Sequence, residues 1–352
     1  MNSHSSHVTV ASKRKRGTTR NRTPDAHYLL GPISIRYMKH PKYPHKICLL
    51  GDYHNKFGIP CPGRSVAVDQ WIKNLVDSNI ELDLYLETPF VTKDQDIGVV
   101  SKYANATEEN YMTDVVKQFH LSCFHHTKTE CNINNTRIHY SDFRDRVFTR
   151  FPLFDLITDI VESYEFNLKL MSRDGLSLEG LIQSIRNNLG LLQNFTDPNK
   201  IREILYDEFV MNKLQKQIDN VRDEYQGIVD VILDDLIRTE DALYQNGKYI
   251  TEEEMEMISK FDMRNLRQIV SIVYRVSTYY IDRLNMYGDS YILLRIFRSF
   301  KNQEDRLNSL IYLGDIHVEY IEQVLRDIGF YVEYEDFSET QCLDIGGLKL
   351  FS

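Results

Sequence analysis

No run of about 18 uncharged apolar residues occurs in the 352-residue chain, so nothing in it reads as a membrane-spanning helix. The amino terminus also lacks the apolar segment of a secretory signal, and the expectation is an intracellular protein with no membrane partner. A Gly-rich phosphate loop and a Gly-x-Ser-x-Gly elbow are both missing, which leaves nucleotide hydrolysis and serine-esterase chemistry without sequence support. No segment repeats at a fixed period, which speaks against a solenoid. Cysteine is sparse. Cys48, Cys61, Cys123, Cys131 and Cys342 form no regular framework, and an odd number in an unsecreted chain reads as reduced thiols.

Acidic residues outnumber basic ones over most of the chain. The net charge is −9, and because residues 13–22, KRKRGTTRNR, hold six basic side chains and no acid, the remainder carries −15. An acidic body disfavours nucleic acid as a partner of the folded part. Nucleic acid is admitted only through the basic tail Lys13–Arg22, which reads as a nuclear-import signal, a phosphate-binding arm or a solvated leader. The expected compartment is cytoplasmic, with nuclear targeting by that tail as the variant.

What is present is ordinary globular material: 42% hydrophobic and 26% charged residues, a composition that argues against wholesale disorder. Residues 1–25 are Ser-, Thr-, His- and Arg-rich without apolar periodicity and are expected to be disordered. Thereafter HKICLLG (45–51) reads as a buried strand, 64–79 as a helix, DLYLETP (83–89) as a strand, 108–121 as a helix and TRIHYSDFRD (136–145) as a third strand. From 151 to about 302 the pattern is helical, with apolar stripes over 218–237 and 266–284 that read as core contacts. LNSLIYLGD (307–315), a helix over 319–328 and a strand over 329–337 complete the pattern. The predicted fold is α/β: a mostly parallel mixed sheet built from 26–150 and 307–352, interrupted by a large α-helical insertion over 151–306.

Two of these strands end alike. Gly51-Asp52-Tyr53-His54 and Gly314-Asp315-Ile316-His317 each come after an apolar run, and the histidines are 263 positions apart. Ligands of parallel sheets bind beyond the carboxyl ends of the strands. There the second and third strands add Glu87, Asp142 and Arg144, and glycine would let the chain turn sharply out of the sheet. Two imidazoles with carboxylates suit a divalent metal. His54, His317 and Glu87 are the candidate ligands, with Asp52 and Asp315 ligating or orienting the histidines, Asp142 as a further polar site residue and Arg144 steadying an anionic intermediate.

On these residues the chain resembles the TraB/PrgY/Tiki group, within a wider superfamily of erythromycin-esterase-like and ChaN-like proteins. Paired G-x-x-H motifs near the two ends of a domain, with a glutamate at an intervening strand end, are shared with Gly51/His54, Glu87 and Gly314/His317. The resemblance covers about 45–145 and 307–337 and hardly touches the helical middle. It implies a mixed α/β core with a helical insertion and, for Tiki-like members, a metal-dependent peptidase using manganese or cobalt.

The expected function is a metal-dependent hydrolase acting on a peptide or ester with Mn, Co or Zn. The alternative is a non-catalytic module on the same fold that binds a ligand such as haem or makes regulatory contacts. Cys123, His125, His126 and Cys131 match no standard zinc spacing and read as a polar loop. Cys61 reads as a loop thiol rather than a nucleophile.

Overall fold

The computed structural model describes residues 28–89, 110–123, 130–142, 208–245, 250–260, 265–300 and 306–351, together with 193, 196 and 197. The tail Lys13–Arg22, Arg144, His125 and His126 lie outside these residues, as does almost all of 151–207.

The chain runs β1 (Tyr28–Leu30), β2 (Ser34–Lys39), β3 (Lys46–Asp52), β4 (Ser65–Ala67), α1 (Val68–Val76), β5 (Leu82–Pro89), α2 (Tyr111–Cys123), β6 (Glu130–Ile133) and β7 (Thr136–Asp142). It continues with α3 (Glu208–Ile218), a short 3-10 turn (Asp223–Tyr225), α4 (Gln226–Gln245), α5 (Glu252–Ser259), α6 (Leu266–Ile296), β8 (Asn308–Gly314), α7 (Asp315–Ile328), β9 (Tyr331–Phe337) and β10 (Cys342–Asp344). Seven strands form a mixed sheet in the order β6-β7-β5-β8-β3-β2-β9. The central pairs β7/β5, β5/β8 and β8/β3 are parallel, and antiparallel strands flank them on both sides. The fold class is α/β, as predicted.

The last parallel strand decides the architecture. β8 arrives after the helical segment and inserts between β3 and β5. Its register with β3 sets Gly314 opposite Asp52, and its register with β5 sets Tyr312 opposite Leu86. The ends of three strands far apart in sequence therefore meet at one rim.

The central strands are apolar almost throughout because both faces of the sheet are covered. Ile47, Leu49, Ile311 and Leu313 pack towards α3, α4, α6 and α7. Their neighbours Cys48, Leu50, Leu310 and Tyr312 pack on the other face with α1 and α2. A second sheet, β10-β1-β4, joins the carboxyl-terminal segment to the start of the fold.

Element boundaries shift from the sequence reading at several places, and β1, β2, β4, β6 and β10 are strands that it does not name. Residues 65–67 pair in parallel with β1 instead of opening α1. The 218–237 stripe is broken after Ile218, yet Val221, Tyr225, Ile228 and Ile232 still share one buried cluster. α7 begins at Asp315, four residues before the expected start, with an acid in its first turn where the positive end of the helix dipole favours it. It stops at Gly329, whose φ of 108° is the left-handed closure that glycine permits.

The cysteine reading is corrected. Cys61 is bonded to Cys342 with their Cα atoms 5.5 Å apart, and Cys123 to Cys131 at 5.3 Å. Cys48 is a buried free thiol. The first pairing spans 281 positions and exists because the small sheet carries Cys342 to the loop after β3, a proximity that spacing alone does not encode. No helix among the described residues is long and apolar enough to cross a membrane.

Candidate functional site

Glu87 is the centre of the rim. It stands near the end of β5, buried, and its Oε2 accepts a 2.7 Å hydrogen bond from the backbone N–H of Gly314. His54 places Nε2 3.5 Å from Oε2, and His317 places Nε2 3.7 Å from Oε1. The two histidines of the repeated motif thus address the two oxygens of one carboxylate.

The glycines serve this geometry by what they leave out. Neither Gly51 nor Gly314 has a positive φ, so the expected sharp turn of special backbone sign is not their role. A Cβ on Gly314 would lie 2.8 Å from His54 Nε2, 3.5 Å from Glu87 Oε2 and 3.6 Å from His317 Cδ2. It would fill the space between the three side chains. A Cβ on Gly51 would collide with Asp315 Oδ1 and Ser34 Oγ.

The histidines are held differently. His54 sits in a loop with a left-handed backbone, φ 57°, and its side chain is 46% exposed. Its Nδ1 is 3.8 Å from Asp52 Oδ2, too long for a hydrogen bond but within reach of its charge. Asp52 accepts from the N–H of Tyr53 at 2.9 Å, and burial raises its carboxyl to about 6 against the pull of His54. His317 lies in the first turn of α7, with a side chain only 9% exposed, and its Nδ1 is 2.9 Å from Asp289 Oδ1 on α6. With Nδ1–H donating to that carboxylate, the ring is in the tautomer whose Nε2 carries the lone pair.

No protein-family model, curated protein or solved structure matches the chain. The geometry is what speaks for the site.

Of the residues singled out in the sequence, His54, Glu87, His317 and Asp52 come together at the rim. Asp142 closes β7 and lines a small cavity of about 20 Å³ with Glu87, Asn285, Asp289 and His317. Asp315 turns the other way, accepting from Ser34 Oγ and pairing with Arg36 at 3.1 Å, while Arg36 also grips Glu322 at 2.6 Å. It therefore anchors the start of α7 to β2 and is not at the histidines. Arg144 falls outside the described residues.

Nothing in the sequence singles out Asp289. Within LNMYGDSY an aspartate reads as the polar face of a helix, and only the packing of α6 against α7 puts it on His317.

Proposed function

We propose that the chain is a metal-dependent hydrolase of peptide or ester bonds, with His54, Glu87 and His317 as the residues that hold a divalent Mn, Co or Zn ion. The single observation behind this reading is the convergence of two imidazole Nε2 atoms on one buried carboxylate, at 3.5 and 3.7 Å. Ligands about 2.1 Å from a tetrahedral ion lie about 3.4 Å apart, so the donors match in kind and nearly in spacing. Among the described residues no three or more His, Cys, Asp or Glu side chains are drawn tightly enough together to hold a metal ion as they stand. The gap that a Gly314 Cβ would fill is the room for it.

When bound, a divalent ion supplies Lewis-acid polarisation of a carbonyl and acidification of water. The chain's own residues prepare the site for that. Asp289 fixes the tautomer and ring orientation of His317, and the Gly314 N–H holds Glu87 in place. Asp142 shares a cavity with Glu87 and His317 and is the proposed partner for proton exchange with the leaving group. This is the arrangement that the resemblance to the TraB/PrgY/Tiki group implies, and membership of that group is part of the proposal.

Metal analysis of the purified full chain tests it, together with hydrolysis of peptide and ester panels in Mn, Co and Zn. Stoichiometric metal in the wild type, lost in both His54→Gly and His317→Ala, is expected. Absent metal, or metal that both variants retain, would sink the proposal and return the site to the non-catalytic ligand-binding or regulatory reading.

An intracellular setting and a nucleic-acid contact through Lys13–Arg22 are proposals from the sequence alone. The two disulfide pairings pull towards an oxidising environment. Non-reducing mass spectrometry of the protein taken from its own cells decides between them.

A further inference from the structure

The loop that carries His54 does more than deliver an imidazole. Eight large apolar side chains among the described residues are markedly exposed, and three of them, Tyr53 at 58%, Phe57 at 43% and Ile59 at 43%, lie in residues 53–61. A fourth, Ile316 at 66%, occupies the same place before His317 that Tyr53 occupies before His54. The strand ends leading to these residues are paired, Asp52 opposite Gly314. The Tyr53 and Phe57 rings are 5.6 Å apart. Single exposed apolar residues need no explanation, but three within the nine residues of the loop that carries His54 do.

The same loop is fastened from four directions although it has no regular structure. Gln341, itself buried and left-handed at φ 58°, donates from Nε2 to the carbonyl of Asn55 at 2.5 Å and accepts from the N–H of Phe57 at 2.9 Å. The next residue, Cys342, is bonded to Cys61. Lys56 reaches Asp114 on α2 at 2.7 Å and stands over the Tyr111 ring. Asp52 holds the loop's first N–H. A buried glutamine that satisfies both amide ends on one loop is a template for it, because a misplaced loop would leave those polar groups unpaired. Exposed apolar side chains on a loop fixed in this way form a preorganised surface, and ordering costs on binding are correspondingly small.

We propose that residues 53–61, clamped by Gln341 and the Cys61–Cys342 bridge, form with Ile316 an apolar platform that seats an apolar side chain of an extended peptide substrate beside the histidines. The inference rests on the hydrolase reading and names its substrate class: peptides with a Leu- or Phe-like residue next to the scissile bond.

The test measures binding without turnover. Fluorescein-labelled Ser/Gly-rich decapeptides carrying one central Leu, Phe, Ser or Asp are titrated with the full chain in EDTA, by anisotropy. Leu and Phe peptides are expected to bind about tenfold or more tighter than the Ser and Asp peptides. Tyr53→Ser, Phe57→Ser and Ile316→Ser, all at exposed positions, are each expected to lose most of that preference with an unchanged far-UV circular dichroism spectrum. Gln341→Ala, which keeps the apolar side chains and frees the loop, should lose it as well and speed amide exchange over 53–61. A preference absent in the wild type, or intact in the three Ser variants, overturns the platform. Its persistence in Gln341→Ala overturns the clamp. A concentration-dependent dimer abolished by the same Ser variants would assign the surface to a second copy of the chain and overturn the substrate assignment. Tight apolar binding with no metal and no hydrolysis would instead refute the hydrolase reading and leave the platform standing.

Discussion

The two Gly-Asp-x-His segments are the same four-residue pattern put to opposite local uses. After β3 the chain stays irregular: Asp52 remains beside its own histidine, and His54 is half-exposed on a left-handed backbone. After β8 it becomes helical at once. Asp315 swings to Ser34 and Arg36, and His317 is buried and oriented by Asp289 from a helix that precedes it in the chain. Strand pairing, which sets Asp52 against Gly314, brings both copies to Glu87; the loop after β3 and the helix after β8 decide which carboxylate serves which imidazole. The helical segment is therefore part of the site, because α6 supplies Asp289.

The glycines test this asymmetry with the largest expected effects. Gly51→Ala drives a methyl into Asp315 and Ser34, the anchorage of α7, and is expected to cost about 2–4 kcal/mol of stability by denaturant unfolding. Gly314→Ala puts its methyl between His54, Glu87 and His317 and is expected to abolish metal binding with a smaller loss of stability. Equal damage to stability and to metal content by both substitutions would mean that the two motifs are not divided as described.

The histidines at the two ends of β3 differ in the same spirit. His45, beside the strand's start, is buried between Tyr225 and Phe297, and burial, with Arg222 adding to it, lowers its pKa to about 4. A histidine held neutral in the fold but protonated near 6.5 when unfolded contributes stability that is complete above pH 6.5 and is lost as pH falls towards 4. That loss is at most about 3 kcal/mol. His45→Phe, which keeps the ring contacts, is expected to flatten the pH 4–6.5 stability profile relative to wild type.

Asp289 and Asp315 carry the comparison to the carboxylates. Asp289→Asn is expected to weaken metal binding about 10–100-fold, because the amide no longer accepts the His317 proton in the same way. Asp315→Asn should leave affinity near wild type and lower stability by about 1–3 kcal/mol through Arg36. Competition titration with a chelating dye measures the first, and urea unfolding the second.

These residues also mark what a sequence discloses. The strands β3, β5, β7 and β8 were legible because central parallel strands are apolar on both faces and end in polar clusters. His54, Glu87 and His317 were legible because they sit at those ends. Asp315 was expected at the histidines and is not there, since the helix starts at that residue and directs its side chain to β2. Asp289, Gln341 and the Cys61–Cys342 bridge depend on contacts over 28, 286 and 281 positions, and no local pattern announces them. β2 is not legible in the sequence although its Ile35 and Tyr37 alternate with polar residues, because its buried Arg36 reads as solvent-facing until Asp315 and Glu322 are placed on it.

The smallest effect separates the backbone of the first motif from its chemistry. His54 holds φ 57°, a conformation that costs a residue with a Cβ about 1 kcal/mol and glycine almost nothing. His54→Ala and His54→Gly both remove the imidazole and should abolish metal binding equally. If the loop is held by Gln341 and Cys342, it cannot relax away from that backbone, and the glycine variant is expected to be about 1 kcal/mol more stable than the alanine variant. Substituting His317, whose helical backbone is ordinary, should reverse the order, with glycine the less stable by about 1 kcal/mol. The same order at both positions would show that the loop after β3 is free to relax, and the contrast between a clamped loop and a capped helix would fail.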